Sequence, residues 1–106
     1  MIIKEFIDIN GDSPFARWFD DLNHVAAAKV TTAIYRLEQG NHSNVESVRE
    51  GVFEYKIDFG PGYRIYFGKD GDELIILLGG GSKKGQSKDI KLAKLKWADY
   101  KRRKRK

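Results

Sequence analysis

Polar side chains alternate with apolar ones along residues 53–67, a pattern typical of the two strands of a β-hairpin. If a three-residue glycine-proline-glycine loop joins the strands, Asp58 faces Arg64 and Lys56 faces Tyr66. The polar face then carries Glu54, Lys56, Asp58, Arg64 and Tyr66. Two interpretations stay open at this point. The face is either solvated, with cross-strand ion pairs worth about 0.2–1 kcal/mol each, or a cationic site for a phosphate group.

A glycine run and two lysines follow the next predicted strand, which places them at one end of the same sheet. Residues 79–87 have glycines and a serine in the spacing of the phosphate-binding loop of nucleotide hydrolases, but Gln86 stands where that loop requires lysine. We therefore reject nucleotide hydrolysis. The physics of an anion site remains, because glycines allow close backbone approach, Lys83 and Lys84 add charge, and a helix N-terminus follows. A polynucleotide phosphate would suit such a site, and the alternative is a flexible glycine loop.

Metal-dependent and cysteine-based catalysis find little support in the sequence. The chain has no cysteine, and its two histidines, His24 and His42, lack the spacing of metal ligands. No serine–histidine–acid set can be argued. We therefore expect neither a metal nor a cofactor.

The composition indicates one small domain. A chain of 106 residues that is 41% hydrophobic suffices for a single modest core. The longest apolar run, residues 74–78, is far shorter than the ~18 residues of a membrane-spanning helix, and the N-terminus lacks the pattern of a signal peptide. Because so small a secreted domain would often use disulfides, the absence of cysteine favours a reducing compartment, and we expect a cytoplasmic protein.

Charge is divided unevenly along the chain. Residues 1–82 carry 8 Lys/Arg and 13 Asp/Glu, whereas residues 83–106 carry 12 Lys/Arg and 2 Asp/Glu. This division favours a polyanionic partner for the C-terminal quarter, with nucleic acid first and an acidic protein second. We divide the chain into a single domain at residues 1–100 and a basic tail at residues 101–106. The alternative role for the tail is solubility alone.

The first half of the chain predicts a strand at residues 2–9 and then two helices. Ser13 is placed to cap the first helix with Pro14 at its first position, and Asn23 to cap a second that ends at Gly40. The apolar faces are Phe15, Trp18, Phe19 and Leu22 in the first helix, and Ala27, Val30, Ile34 and Leu37 in the second.

The second half predicts a three-stranded meander and a last helix. The strands cover residues 53–59, 63–67 and 73–78, and the glycine run ends the third. Ser87 is placed to cap the helix, in which Ile90, Ala93 and Trp97 share one side. The predicted fold is α+β in the order β-α-α-β-β-β-α, with an N-terminal strand and helix pair packed on a mainly antiparallel sheet.

Three stretches together resemble the RelE/ParE toxin superfamily, and most closely its HigB-like, phage-derived host-killing branch. They are Glu54-x-Lys56, the run GPGYRIYF at residues 60–67, and LLGGGSKKxQxxDI within residues 77–90. The order of elements is similar over nearly the whole chain, and the motifs fall within residues 52–97. The combination carries the resemblance, since none of the stretches is specific alone.

The resemblance implies a RelE-like fold and the toxin of a type II toxin–antitoxin module. RelE- and HigB-like members cut mRNA on the ribosome without a metal, using the ribose 2′-hydroxyl as nucleophile. ParE-like members instead inhibit DNA gyrase. The implied partners are therefore the ribosome, mRNA and a cognate antitoxin, often a helix-turn-helix protein in this branch. A non-enzymatic RNA-binding module is a further alternative, although only Tyr66 is expected to point outward as a stacking surface.

The resemblance also suggests a role for each matching residue. Arg64 would bind the scissile phosphate and offset transition-state charge, and Lys56 would shuttle a proton. Lys83 matches the basic residue at the end of the last strand, and Glu54 would act as a base or orient Lys56 or Arg64. The expected RNA-binding residues are Lys84, Gln86, Tyr66, Lys101, Arg102 and Arg103. The proton donor has no secure match, although Tyr100 is a candidate.

Overall fold

The computed structural model describes residues 1–105. Its elements are β1 (Ile2–Glu5), α1 (Pro14–Asp20), α2 (His24–Glu38), β2 (Val45–Ser47), β3 (Val52–Ile57), β4 (Tyr63–Asp70), β5 (Leu74–Ser82), a 3₁₀ turn (Lys83–Gly85) and α3 (Gln86–Lys104). Within residues 1–105, no helix is both long enough and apolar enough to cross a membrane.

One five-stranded sheet, in the order β1-β5-β4-β3-β2, organises the chain. β1 pairs with β5 in parallel and the other neighbours are antiparallel, so the predicted α+β class is confirmed. The first strand is shorter than predicted, and the edge strand β2 was not predicted at all. Only three residues long, β2 is too brief for an alternating pattern to reveal it.

Each face of the sheet carries its own hydrophobic core. Helices α1 and α2 cover one face, where Phe15 and Leu37 pack with Ile65 and Phe67. On the opposite face, α3 packs a second cluster made of Phe6, Val52, Tyr66, Ile76, Leu78, Ala93 and Trp97. The face that carries Tyr66 is therefore buried over much of its length rather than solvated.

The predicted starts of the first two helices are confirmed. The Ser13 hydroxyl accepts a hydrogen bond from the Ala16 amide at 3.0 Å, and the Asn23 side chain accepts one from the Ala26 amide at 2.9 Å. The buried stripe of α2 is shifted slightly from the prediction, because Ala26, Val30, Ala33 and Leu37 are buried whereas Ala27 and Ile34 are half-buried.

The β3–β4 hairpin differs from its predicted register. Lys56 faces Arg64 and Glu54 faces Tyr66, so residues 58–62 form a five-residue loop instead of a three-residue one. The loop is closed by the Gly62 amide, which donates a hydrogen bond to the Phe59 carbonyl at 3.0 Å. Because the shift is two residues, the set of side chains on each face stays as predicted.

The glycine run lies inside strand β5 and is not a loop, which corrects the predicted strand end. Gly80 and Gly81 pair with β4, and helices approach both closely. A Cβ atom on Gly80 would lie 2.3 Å from the Trp18 ring, and one on Gly81 would lie 2.0 Å from the Asp89 carboxylate. These glycines therefore serve helix–sheet packing.

Helix α3 differs from the prediction at its start. Its N-cap is Gly85 and not Ser87, because the turn at Lys83–Gly85 leads directly into the helix. The helix continues through Lys104, so residues 101–104 of the predicted basic tail form its last turn.

Candidate phosphate-binding site

Three cationic side chains from different elements meet at one surface pocket of about 230 Å³. Lys56 comes from the end of β3, Arg64 from the start of β4, and Lys83 from the turn after β5. The remaining lining is Ile57, Asp58, Gly62 and Tyr63. We call this pocket the phosphate pocket. The antiparallel pairing of the strands brings these residues together although they span 27 positions of sequence.

The Arg64 guanidinium is held on two sides. Its Nη1 donates a hydrogen bond to the Gly62 carbonyl at 2.9 Å, and its Nε lies 3.4 Å from Glu54 Oε2. The second contact is an ion pair without hydrogen-bond geometry. Because the residue is only 8% exposed, its orientation is restricted by packing as well as by these contacts.

Glu54 lies beneath Arg64 and is 1% exposed. Its Oε2 also accepts a hydrogen bond from Gln86 Nε2 at 2.9 Å, so one carboxylate connects β3, β4 and the first turn of α3. Of the two roles predicted for Glu54, this burial favours orienting Arg64, because a base must reach its substrate.

Tyr66 does not point outward, and that prediction is wrong. Its side chain is 1% exposed beneath α3, in contact with the cluster that includes Trp97. Within residues 1–105 the hydroxyl has no partner in good hydrogen-bond geometry. Its pKa is raised above the usual value, first by burial and then by the adjacent negative charge of Glu54. In this conformation the ring offers no surface on which a base can stack.

Lys56 and Lys83 are accessible at the pocket. The Lys56 side chain is 43% exposed, and its Nζ lies 3.2 Å from Glu46 Oε2 on the edge strand β2. Lys83 is exposed, and its backbone amide donates to the Pro61 carbonyl at 3.4 Å, which ties the turn to the hairpin loop. The sequence analysis missed Glu46, because it lies on the strand that was not predicted.

The predicted RNA-binding residues fall into two separate groups. Lys84 is exposed in the same turn as Lys83, and Gln86 begins α3 with its amide bound to Glu54. The residues Lys101, Arg102 and Arg103 instead lie at the far end of α3. At a rise of 1.5 Å per residue, they are about 22–26 Å along the helix axis from Gln86.

The far end of α3 is docked onto the body of the protein. The Arg103 guanidinium donates to the Ile7 carbonyl at 2.8 Å and lies 4.9 Å from the centre of the Phe6 ring. Asp70 on β4 accepts hydrogen bonds from Lys104 and, at 2.6 Å, from the Tyr100 hydroxyl. These residues thus hold the helix end in place.

The contacts at this end of α3 shift the pKa values of Asp70 and Tyr100. The bond from Lys104, followed by that from Tyr100, lowers the pKa of Asp70. Burial, followed by the bond to Asp70, raises the pKa of Tyr100 to about 12. Tyr100, the candidate proton donor, is therefore bound to Asp70 and does not line the phosphate pocket.

The pocket's chemistry is that of a cationic anion-binding site. Two exposed ammonium groups and one fixed guanidinium suit the non-bridging oxygens of a phosphodiester. Within residues 1–105, no group of three or more histidine, aspartate or glutamate side chains is arranged to hold a metal ion.

Comparison with known proteins places the chain in a family. Residues 17–103 match the family described as "Phage derived protein Gp49-like (DUF891)". An uncharacterized protein of Haemophilus influenzae is 44% identical over 90 residues, which cover 84% of this chain and 91% of that protein. The chain therefore belongs to the phage-derived Gp49-like family, whose members are toxin-like proteins of toxin–antitoxin systems.

Proposed function

We propose that this protein is the toxin of a type II toxin–antitoxin module and that it cuts mRNA on the ribosome as a HigB-like member of the RelE/ParE superfamily. The observation that carries the proposal is the convergence of Lys56, Arg64 and Lys83 on one pocket. Family membership and the resemblance of the hairpin motif support it independently.

The proposed reaction is an intramolecular transesterification, in which the phosphorus of the scissile phosphodiester passes from the 5′-oxygen to the neighbouring ribose 2′-oxygen. The 2′-oxygen attacks phosphorus and its proton passes to water, while the bond from phosphorus to the 5′-oxygen breaks. Lys56, as an ammonium group, gives a proton to the departing 5′-oxygen. The products are a 2′,3′-cyclic phosphate and a 5′-hydroxyl, and the reaction needs neither an oxidant nor a metal.

The other residues support this chemistry electrostatically. Arg64 and Lys83 bind the non-bridging oxygens, where negative charge develops in the transition state. Glu54 is a positioning residue, since it contacts Arg64 and Gln86 rather than the pocket. We propose that the exposed Lys84, Lys101 and Arg102 add non-specific attraction to RNA, together with the partly engaged Arg103.

The test is cleavage of mRNA in a purified translation system, with and without ribosomes, followed by mapping of the RNA ends. Wild type should produce ribosome-dependent cuts with 5′-hydroxyl ends. Lys56→Ala should abolish them, whereas Lys91→Ala, which removes the same charge from an exposed position of α3 outside the pocket, should not. Intact mRNA with wild type would contradict the proposal, and a DNA gyrase supercoiling assay would then test the ParE-like alternative.

The proposed partners can be tested separately. As a cytoplasmic toxin, the protein should arrest growth when expressed alone, and a small helix-turn-helix protein encoded beside it should bind it and restore growth. Of the alternatives, a plain RNA-binding module loses support from the burial of Tyr66, because no outward stacking ring remains at that position.

A further inference from the structure

A second groove continues from the phosphate pocket along helix α2. Its volume is about 290 Å³, and it shares Lys56, Ile57 and Asp58 with the phosphate pocket. We call it the α2 groove. Because the two lie side by side, a polymer whose phosphate occupies one can continue into the other. The size is near the lower limit of about 300 Å³ for small-molecule sites, which suits a single nucleotide.

One helical face lines the groove. Lys29, Thr32, Ala33 and Arg36 are spaced at i, i+3, i+4 and i+7, so they lie on the same side of α2. The two cations are about 10 Å apart along the helix axis. The two cations are therefore placed to contact separate phosphates along a nucleic-acid strand rather than to share one phosphate.

The positive charge of the groove is available to a ligand. Within residues 1–105, neither Lys29 nor Arg36 forms an ion pair with a carboxylate. The Lys29 ammonium instead lies 5.1 Å from the centre of the Phe59 ring. A cation–π contact fixes its position without cancelling its charge. Asp58 is the one carboxylate in the lining, at the junction of the two pockets.

We infer that the α2 groove is an RNA subsite, which holds the nucleotide next to the scissile phosphate through phosphate contacts to Lys29 and Arg36. Asn44 adds an amide at the rim that can bond to a base edge. The inference rests on the proposed function, which supplies RNA as the substrate and places the scissile phosphate in the phosphate pocket. It adds residues of α2 that touch neither the reacting phosphate nor the Arg64–Glu54 pair.

The test separates binding from chemistry. Single-turnover cleavage on mRNA-programmed ribosomes is measured against protein concentration for wild type, Lys29→Ala/Arg36→Ala and Thr32→Glu. The matched control is Lys4→Ala/Lys91→Ala, which removes two charges from exposed positions outside both pockets. The double variant Lys29→Ala/Arg36→Ala should raise the half-saturating concentration roughly tenfold and leave the maximal rate within about twofold, since each cation contacts phosphate outside the reacting centre. Thr32→Glu, which places a negative charge on an exposed turn of the same face, should also raise the half-saturating concentration.

A second measurement keeps the inference independent of cleavage. Binding of a 2′-O-methyl RNA oligonucleotide, which lacks the nucleophile, is followed by fluorescence anisotropy over a range of salt concentrations. The double variant should lower the slope of log affinity against log salt by about 1.4, or about 0.7 for each lost phosphate contact. If the salt slopes of wild type and the double variant differ by this amount but wild type does not cut mRNA, the subsite stands and the proposed nuclease activity fails. If Lys29→Ala/Arg36→Ala matches the two-charge control Lys4→Ala/Lys91→Ala in both measurements, the subsite is overturned whether or not wild type cuts. The subsite would also be overturned if the double variant loses binding to an acidic peptide while its RNA binding stays as in wild type.

Discussion

The Nε atom of Arg64 lies 3.4 Å from Oε2 of Glu54, and the two side chains are 10% and 1% exposed. They sit on adjacent strands two pairing positions apart, since Glu54 faces Tyr66 and Lys56 faces Arg64. A buried ion pair contributes little net stability, because removing two charges from water offsets much of their attraction. Its effect here is to hold the guanidinium at the edge of the phosphate pocket.

Removing one member of this pair should be more harmful than removing both. Glu54→Ala leaves Arg64 without its buried counter-charge, and we expect the free energy of unfolding to fall by about 3–5 kcal/mol. Urea denaturation measures this change. The double variant Glu54→Leu/Arg64→Met, which replaces both with apolar groups of similar length, should fold with a smaller loss. A loss in the double variant as large as the sum of the losses in Glu54→Leu alone and Arg64→Met alone would show that the two residues are not coupled.

Adjacent lysines should differ in their effect on RNA cleavage. Lys83 lines the phosphate pocket and Lys84 does not, although both are exposed in the same turn. Lys83→Ala should lower the single-turnover rate by about 10²-fold, as expected when one donor to developing charge is removed. Lys84→Ala should change the rate by less than about threefold and mainly weaken binding. Equal losses in both variants would assign the effect to net charge rather than to the pocket.

The close approach of α1 to β5 predicts an unusual sensitivity to a single methyl group. Gly80→Ala places a Cβ atom 2.3 Å from the Trp18 ring, so the helix or the strand must shift. We expect a loss of about 1–3 kcal/mol in the free energy of unfolding, measured by urea denaturation. Adding Trp18→Leu removes the opposing ring and should recover part of that loss relative to Trp18→Leu alone. An additive double variant would contradict the contact.

Asp70 should make stability depend on pH at the acid end. Its pKa is lowered in the folded state, first by the bond from Lys104 and then by that from Tyr100. Because the folded-state pKa lies below the unfolded value of about 3.9, this contribution is complete above that pH and is lost as the pH falls through the folded-state pKa. Asp70→Asn should therefore lower the melting temperature at pH 7, and its difference from wild type should shrink progressively as the pH is lowered below about 3.9. A difference that keeps the same size on acidification would contradict the ion pair.

Local sequence signals predicted much of the fold. Side-chain caps at Ser13 and Asn23, and the strict alternation from residue 53 to 59, depend on neighbours a few positions away, so they can be read without knowing the fold. The same alternation correctly assigned side chains to the two faces of the β3–β4 hairpin, and it survived a register error of two residues because the period of a strand is two.

Part of the candidate site could be predicted from the sequence for the same reason. Lys56 and Arg64 were predicted on one face, and Lys83 at the end of the same sheet, and the structure brings all three to one pocket. The roles of these residues in RNA cleavage remain predictions. The pairing of Lys56 with Glu46 could not be predicted, since β2 is held by its partner strand rather than by a pattern of its own.

The sequence by itself determined the starts of the first two helices, the alternation of strand faces and the collection of positive charge in the C-terminal quarter, because each depends on residue type and short spacing. Only the tertiary structure decided what covers each face. Helix α3 packs over the sheet, burying Tyr66 and Glu54, and brings Asp89 and Trp97 against glycines. Burial depends on contacts between residues distant in sequence, so the polar pattern that marked this face could not show whether water or a helix lies against it.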